Sequence, residues 1–267
     1  MTDEPSGQDA GPAQVADIAR MQDYWRGGTG QSAADASAAQ QAMAAYPGLA
    51  ASVRANRAFL GRAVRFLAGE AGMRQFLDIG TGLPAPGSVP EVARAVSAQC
   101  RVVCCDNDPQ VVRTARESLA GAASGPDAFL QADLRDPAAL LGQAGAYLDL
   151  TEPVAVLLVS VLHMVDDDDR PYEVVTALMG ALAPGSFLAL THVASDIEPE
   201  AMAEMTRRVN SRVARRATPR DRAAVARFCT GLDLVPPGLV PVPQWRPDTP
   251  EEAASPSTQW GGIARTR

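Results

Sequence analysis

The sequence predicts an α/β fold in which short buried strands alternate with helices around a mostly parallel sheet. Short apolar runs, such as Phe76–Ile79 and Val154–Val159, recur at intervals that leave room for one helix between them. The glycine turn Gly80-Thr81-Gly82 directly follows the first run, and Asp106 ends the second run. Strand, glycine turn, helix, strand and acidic residue are the layout of a nucleotide-binding βαβ unit.

We divide the chain into three segments by composition and pattern. Residues 1–12 are rich in glycine, proline and acidic residues, and we expect a disordered tail there. Residues 13–70 show helical apolar spacing, and we expect a helical N-terminal lid over the carboxyl ends of the strands. Residues 71–267 alternate strand and helix patterns, and we expect them to form the ligand-binding domain.

Three helices are predicted in the lid segment, at Val15–Trp25, Ser32–Ala45 and Leu49–Ala68. The third carries apolar residues every three or four positions, which indicates a face packed against a core. Its arginines, among them Arg62 and Arg65, fall mostly on the other side. We therefore expect these arginines at the surface.

Seven strands are predicted in the remainder: Phe76–Ile79, Val102–Cys105, Ala128–Gln131, Val154–Val159, Ser186–Val193, Leu234–Val242 and Trp260–Ala264. The fourth is strongly apolar, which is typical of a central parallel strand. Pro243–Thr258 is polar, and we expect a hairpin loop between the last two strands. Residues 207–222 contain seven arginines, which we interpret as a solvated helix face, with an acidic substrate or nucleic acid as the alternative partner.

The residues around the glycine turn indicate whether the ligand is a dinucleotide or a nucleoside without a diphosphate. The stretch GTGLPA satisfies the loose form of a dinucleotide fingerprint. However, Pro84 and Pro86 lack the N–H groups that hold a pyrophosphate at a helix N-terminus. The next helix is predicted to begin later, with Ser88 as its N-cap. This long, donor-poor loop suits a nucleoside without a diphosphate, and S-adenosylmethionine (SAM) is the common one.

Composition excludes several chemistries and partners. All 24 basic residues are arginine, so the chain has no lysine for a Schiff base, for pyridoxal phosphate or for a P-loop. The formal net charge of −7 disfavours nucleic acid, because its phosphates bind basic surfaces. The N-terminus lacks a signal-peptide pattern and no apolar run is long enough to span a bilayer. We therefore expect a cytoplasmic protein with no membrane partner.

The sequence predicts no metal site. Its four cysteines lack the spacing of zinc ligands. The run Asp166–Asp169 supplies four consecutive carboxylates just before Pro171. We interpret them as favourable negative charge at a helix N-terminus, with a magnesium site as the alternative.

The motifs FLDIGTGLP, VVCCDNDPQVV and QADLRDP together resemble a family of class I SAM-dependent methyltransferases frequent in high-GC bacteria. The early DYWRGG and the later VLLVSVLHMV also look like that family, so the resemblance covers nearly the whole chain. It implies a Rossmann-like, seven-stranded, mostly parallel sheet in the order 3-2-1-4-5-7-6, with the last strand antiparallel. It also implies methyl transfer to a small-molecule acceptor, for instance in secondary metabolism.

The resemblance assigns the first cofactor contacts to the ends of two strands. Gly80, Thr81 and Gly82 are expected to pass under the methionine part of SAM. Asp78 is expected to help hold the methionyl ammonium group, with a structural hydrogen bond to the loop as the alternative. Asp106 is expected to accept hydrogen bonds from the two ribose hydroxyls.

The remaining cofactor contacts are expected at three neighbouring positions. Asn107 lies where it can pack against the adenine. Asp133 can accept from the adenine amino group while the Leu134 N–H donates to a ring nitrogen, although Asp133 also suits a turn. Ser160, at the end of the fourth strand, is expected to face the sulfonium. The chain lacks the Asp/Asn-Pro-Pro-aromatic motif there, which argues against methylation of bases and side-chain amides.

Two residues are candidates for the acceptor side. His163 is the best candidate for a general base, because histidine is suited to proton transfer near neutral pH. A satisfied structural histidine is the alternative, and we interpret His192 that way. Tyr24 is expected to close over the methionine carboxylate or the substrate, and Arg26 to pair with that carboxylate. A hydrophobic anchor for the lid is the alternative for Tyr24.

Three functions remain open from the sequence. The first is a methyltransferase acting on a small molecule. The second is a SAM-binding protein that does not methylate, such as a regulator. The third is an NAD(P)-dependent oxidoreductase, which the missing lysine of a Tyr-x-x-x-Lys pair disfavours. Neither the atom that is methylated nor the oligomeric state follows from the sequence.

Overall fold

A computed structural model describes residues 16–119 and 127–267, so the predicted tail at residues 1–12 lies outside the described residues. The helices are α1 (Ile18–Trp25), α2 (Ala33–Ala45), α3 (Leu49–Gly69), α4 (Val89–Val96), α5 (Pro109–Leu119), α6 (Pro137–Ala144), α7 (Pro171–Gly180), α8 (Pro199–Asn210), α9 (Arg222–Ala226) and α10 (Pro250–Ala253). The strands are β1 (Gln75–Ile79), β2 (Arg101–Asp106), β3 (Ala128–Gln131), β4 (Ala155–Val159), β5 (Phe187–Val193), β6 (Asp233–Leu234), β7 (Val240–Pro241) and β8 (Gln259–Arg265).

The strands of the described residues form one sheet in the order β3-β2-β1-β4-β5-β8-β6, with β7 also paired to β8. The first five strands are parallel, and β8 runs antiparallel to β5. The predicted sixth strand is divided into β6 and β7, because Pro236 and Pro237 between them have no N–H to donate to β8. With β6 and β7 taken as one interrupted strand, the predicted order 3-2-1-4-5-7-6 and the antiparallel last strand are confirmed.

Helices cover both faces of the sheet. One face packs against α3, α4 and α5, and the cluster there includes Phe59, Val64 and Val89. The other face packs against α6 and α7, with Leu140 and Leu178 in its cluster. Burial on both faces explains why β4 is apolar along its whole length.

The first two helices belong to a separate layer above the sheet. Met21 and Trp25 of α1 pack with the alanines of α2 and with Met202 and Met205 of α8. The helix α3, in contrast, shares its apolar cluster with β1, β2, β4 and β5. Only part of the predicted helical lid therefore lies away from the sheet, namely α1 and α2. Within the described part of the chain, every helix is too short or too polar to cross a bilayer.

Two predictions, one about α3 and one about the stretch before β8, are wrong. Arg62 of α3 is buried, although the helical pattern placed it mostly outside. The polar stretch Pro243–Thr258 is more than a hairpin loop, because it contains α10 and the fully buried Trp245. The Trp245 ring contacts Phe59 and Phe66 edge to face, with centroids 5.5 and 5.7 Å apart.

The same stretch explains the burial of Arg62. Its guanidinium donates to the carbonyl oxygens of Trp245 (2.9 Å) and Val242 (2.7 Å) and forms an ion pair with Glu252. These carbonyls belong to an irregular segment that has no strand partner for them. The Val242 carbonyl also accepts from the Trp245 N–H at 3.4 Å, and the arginine adds side-chain donors that attach this segment to α3.

We predict that Arg62→Met lowers the free energy of unfolding by about 2–4 kcal/mol, because two buried carbonyls and a carboxylate lose their partner. Arg65→Met is the matched control on the same helix. Arg65 pairs with Asp248 at an exposed position, so its loss should cost at most about 1 kcal/mol. Urea denaturation of both variants tests the difference, and equal losses would contradict the role assigned to Arg62.

Candidate functional site

A cleft opens beyond the carboxyl ends of β1, β2 and β4. Its volume is about 400 Å³. The sheet order reverses at this point, since β2 and β4 lie on opposite sides of β1. A crevice is expected where the winding direction of a parallel sheet changes. Residues of α1 and α3 and the segment 213–215 complete the walls.

The glycine loop needs glycine for two different reasons. Gly80 has φ +72°, and a Cβ there would lie 2.6 Å from Cγ2 of Val161. Gly82 has φ +68°, but no atom lies within 4 Å of the position of its Cβ. Gly80 thus allows β1 to approach the loop after β4, whereas Gly82 leaves the floor of the cleft open.

Asp106 joins the tip of β2 to the glycine loop. Its Oδ2 accepts from the Gly82 N–H and its Oδ1 from the Asp108 N–H, both at 3.0 Å. Burial raises the pKa of this carboxyl group, and the nearby Asp108 and Asp17 act in the same direction. Two backbone donors fix the carboxylate at the cleft wall and leave lone pairs for further donors.

Asp78 lies on the adjacent strand and also lines the cleft. Burial raises the pKa of its carboxyl group to about 6, against the opposing effects of Thr81 and Arg57. Two buried carboxyl groups, Asp78 and Asp106, therefore line the same cleft. They create a site that favours a cation or hydroxyl donors and opposes a diphosphate.

Two arginines that line the cleft have hydrogen-bond donors without a partner. The side-chain Nε atoms of Arg26 and Arg57 are buried, and neither has a hydrogen-bond partner within the described residues. Burial lowers the pKa of both guanidinium groups, and their proximity lowers that of Arg26 further. Arg57 also donates to the carbonyl oxygens of Ala85 (3.1 Å) and Pro86 (3.0 Å), which holds the proline loop.

The predicted adenine contacts lie together at the other end of the cleft. Asn107 Nδ2 donates to Asp133 Oδ2 at 3.3 Å, and Leu134 follows in the wall. Arg135 forms an ion pair with Asp133 at 2.7 Å and holds the pKa of its carboxyl group at about 2. Asp133 is thus an ionised acceptor whose two oxygens already bind Arg135.

Ser160 is held in an uncommon backbone conformation, with φ +58°. Its N–H donates to Thr191 Oγ1 (2.9 Å), and its hydroxyl accepts from Asn56 Nδ2 (2.9 Å) and donates to Gln259 Oε1 (3.2 Å). Non-glycine residues with positive φ persist where the surroundings fix them, often at functional sites. Three partners from different elements fix Ser160 at the end of β4.

His163 and His192 belong to one buried network around Arg220. Arg220 donates to His192 Nε2 (2.9 Å) and to the carbonyl oxygens of Leu162 and Val165, and it pairs with Asp167. The Nδ1 of His192 lies 2.8 Å from the Val193 carbonyl oxygen, so the proton of this ring is on Nδ1. His192 is therefore structurally satisfied.

His163 differs from His192 in its unused hydrogen-bonding capacity. The ring is 4% exposed, and its Nδ1 has no partner among the described residues. Burial lowers the pKa of His163 to about 4, and the positive charge of Arg220 acts in the same direction. The ring is thus a neutral imidazole near neutral pH.

Two predictions from the sequence differ from the observed geometry. Tyr24 does not line the cleft, and its hydroxyl accepts from Gln40 Nε2 at 3.0 Å. The arginine-rich segment 207–222 is not wholly a solvated helix face, because α8 ends at Asn210 and Arg220 is 5% exposed. A chain reversal after α8 carries Arg220 inward, where it replaces absent backbone donors.

Sequence reasoning missed Asn56, Arg57 and Arg220. Asn56 and Arg57 follow each other on α3 and reach the site because this helix crosses the strand ends. No local motif marks them. The one available signal was Asn56, which lies in line with Val53 and Leu60 on the apolar face of the helix, where a polar residue requires a partner.

The arrangement fits an adenosyl sulfonium. Acidic groups at two strand tips suit ribose hydroxyls and an ammonium, and the unpartnered donors of Arg26 and Arg57 suit a carboxylate. A diphosphate fits poorly, since the Gly82 N–H is already used by Asp106 and the loop continues through prolines. In the described part of the chain, no group of three or more His, Cys, Asp or Glu residues is placed to hold a metal ion.

Comparisons with known proteins agree with this geometry. Residues 7–267 match the model of a family described as S-adenosyl methyltransferase. A DUF574-family protein from Streptomyces avermitilis is 36% identical, with a TM-score of 0.89 over 95% of this chain and 98% of that chain. A predicted methyltransferase from Thermobifida fusca is also 36% identical, with a TM-score of 0.87 over 95% of this chain and 96% of that chain.

More distant matches share the fold alone. The mitomycin 7-O-methyltransferase MmcR is 18% identical, with a TM-score of 0.52 over 79% of this chain and 54% of that chain. No curated protein matches the chain significantly. The family match spans nearly the whole length, and both structures at 36% identity cover almost all of it. The chain therefore belongs to the S-adenosyl methyltransferase family and is a SAM-dependent methyltransferase.

Proposed function

We propose that the protein transfers the methyl group of SAM to a small-molecule acceptor. The observation that carries this proposal is the cover over the cleft at Ser160. Ile18 and Gln22 of α1 line the cleft, and Ala16 forms a β-bridge with Val213 across it. These segments narrow the access to a methyl group at Ser160, which favours a small acceptor over a polymer such as DNA or a folded protein.

The cofactor-binding residues are proposed from the walls of the cleft. Asp106 accepts from the ribose hydroxyls, and Asp78 faces the ammonium group. Gly80, Thr81 and Gly82 leave room for the methionine chain. A second group lies around the adenine and the sulfonium, and its members are Asn107, Asp133, Leu134 and Ser160.

SAM, when bound, supplies an electrophilic methyl group on a positively charged sulfur. The chain itself contributes position and a dry environment, which account for much of the rate in such displacements. Ser160 fixes the end of β4 beside the cleft, and the neutral imidazole of His163 can take a proton from an acceptor. Tyr24 was predicted to act at the site, and its hydrogen bond to Gln40 supports a role in joining α1 to α2.

We predict that Asp106→Ala lowers SAM affinity by about 10–100-fold, because two charge-assisted hydrogen bonds to the ribose are lost. Isothermal titration calorimetry with SAM and with S-adenosylhomocysteine measures the effect. Asp221→Ala is the control, since Asp221 caps α9 outside the cleft. Unchanged affinity in Asp106→Ala would show that the ribose lies elsewhere, and preferential binding of NADH would contradict the proposed function.

We predict that Arg57→Met weakens SAM binding by about tenfold but leaves 5′-methylthioadenosine binding within about twofold, since this compound lacks the carboxylate. Both ligands carry a methyl-bearing sulfur on the 5′ carbon of adenosine, as a sulfonium in SAM and as a thioether in 5′-methylthioadenosine. Their comparison therefore separates a contact with the amino-acid part of SAM from general damage to the cleft. If both ligands lost affinity equally, Arg57 would act only by holding the proline loop through its hydrogen bonds to Ala85 and Pro86.

We predict that SAM affinity rises between pH 5 and pH 7. The pKa of Asp78 is about 6 in the free protein, and a neighbouring cation favours the ionised carboxylate. Below pH 6 the Asp78 carboxyl group is mostly protonated, so SAM binding must release its proton. This release lowers the affinity for SAM. Calorimetry in buffers of different ionisation enthalpy measures this release. In Asp78→Asn the remaining pH dependence should shrink, and an unchanged profile would exclude Asp78 as its source.

A further inference from the structure

A second, smaller chamber lies behind Ser160. Its volume is about 60 Å³. It shares three residues with the cofactor cleft, namely Ile18, Gln22 and Ser160. Ser160 directly follows the strand β4 and, with Ile18 and Gln22 of α1, forms the wall common to both spaces. A molecule in the chamber would therefore meet the cleft beside Ser160, where the proposed function places the sulfonium.

The chamber wall carries no acidic or arginine side chain within the described residues. Most of it is apolar, with Trp25 from α1, Leu49 and Val53 from α3, and Met205 and Val209 from α8. Moving a charged group from water into such a space without a counter-charge is strongly unfavourable. An occupant of this chamber is therefore uncharged.

Among the described residues that line the chamber, one buried polar atom has no partner. The side chains of Thr258 and Gln259 are buried and already bond to Ser52 and Ser160. His163 also lines the chamber, is 4% exposed, and has an unpartnered Nδ1. Buried polar atoms in folded proteins nearly always have a partner, so this atom requires one from a ligand.

The required partner is a hydroxyl group. A hydroxyl both donates and accepts, so it satisfies Nδ1 in either tautomer of a neutral imidazole. Burial of the ring lowers the pKa of His163 to about 4, and the positive charge of Arg220 acts in the same direction, so the imidazole is neutral. Arg220 itself is held by His192 and Asp167, which face it from β5 and from the segment before α7.

We infer that this chamber is the acceptor subsite and that it takes an uncharged, weakly acidic hydroxyl compound, a phenol or an enol, with its O–H against His163. This inference rests on the proposed function and deepens it. The acceptor oxygen forms the new C–O bond as the C–S bond of the sulfonium breaks, and the bonding pair stays on sulfur. The hydroxyl proton goes to His163, which passes it to water after the ether leaves.

The burial of His163 selects a phenol or an enol over an aliphatic alcohol. A histidine with so low a pKa is a weak base, so the acceptor must supply acidity of its own. The chamber is also smaller than the cavity of about 150 Å³ that admits benzene. Only the hydroxyl-bearing edge of the acceptor lies in it, and the remainder lies beside Ile18 and Gln22.

The test on the unmodified protein uses ligands of matched shape. The protein is saturated with S-adenosylhomocysteine and titrated with phenol, catechol, 1-naphthol and 2-naphthol. Anisole, benzoate and benzylamine serve as the methylated, anionic and cationic counterparts. We expect at least one hydroxyl compound to bind about tenfold more tightly than each counterpart. Failure of all four to bind, or equal binding of benzoate or benzylamine, overturns the inference.

Variants locate the subsite. His163→Phe keeps a ring and removes both nitrogens, so the hydroxyl preference over anisole should disappear while S-adenosylhomocysteine binds within about twofold. Ala217→Leu fills the chamber and should abolish binding of phenol and anisole alike. Thr206→Val removes another wall hydroxyl and is the control, with the preference retained. If the His163→Phe variant still prefers the hydroxyl compound over anisole, the role of His163 is overturned. If His163→Phe does not fold, His163→Gln is used in its place.

The two levels of the proposal fail differently. If S-adenosylhomocysteine itself does not bind, the proposed function fails before any acceptor is added. If it binds while the hydroxyl panel does not, only the acceptor subsite fails.

Discussion

The hydrogen bond from the Gly82 N–H to Asp106 is the interaction on which the cofactor cleft depends. It joins the loop after β1 to the tip of β2 and holds a carboxylate at the cleft wall. The same bond removes the one glycine-loop donor that a diphosphate would need. A second carboxyl group, Asp78, is buried beside it, so this end of the sheet favours cationic and hydroxyl groups. The ligand class follows from these two acids.

A second constraint is the supply of hydrogen-bond donors to irregular segments. Lysine is absent, and two buried arginines take this role. Arg62 binds carbonyl groups near Trp245, and Arg220 binds those of Leu162 and Val165. A planar guanidinium offers several donors in fixed directions, so one residue satisfies a whole turn. At Arg220 the same charge also keeps His163 neutral, which connects the fold of the segment after β4 to its chemistry.

Much of the fold could be predicted because it follows local rules. The first five strands and their helices were found from apolar runs, caps and prolines, and the sheet order followed from the family resemblance. Asp78, Gly80 and Asp106 were predicted to lie together because parallel strands bring their carboxyl ends to one edge, and all three line one cleft. The errors fell on Arg62, on Arg220 and on the stretch after Pro241. There, long-range packing overrides a periodicity that is read within one helix or loop.

By itself, the sequence favoured SAM over a dinucleotide, because two strand ends with glycines, prolines and acids restrict which groups can approach the backbone. It also determined that β4 is central, since only a strand buried on both faces is apolar throughout. The tertiary structure alone decided which polar groups are left without partners. The orphan Nε atoms of Arg26 and Arg57 and the Nδ1 of His163 depend on contacts between distant segments. Hydrogen-bond satisfaction is a property of the packed chain, and no local pattern encodes it.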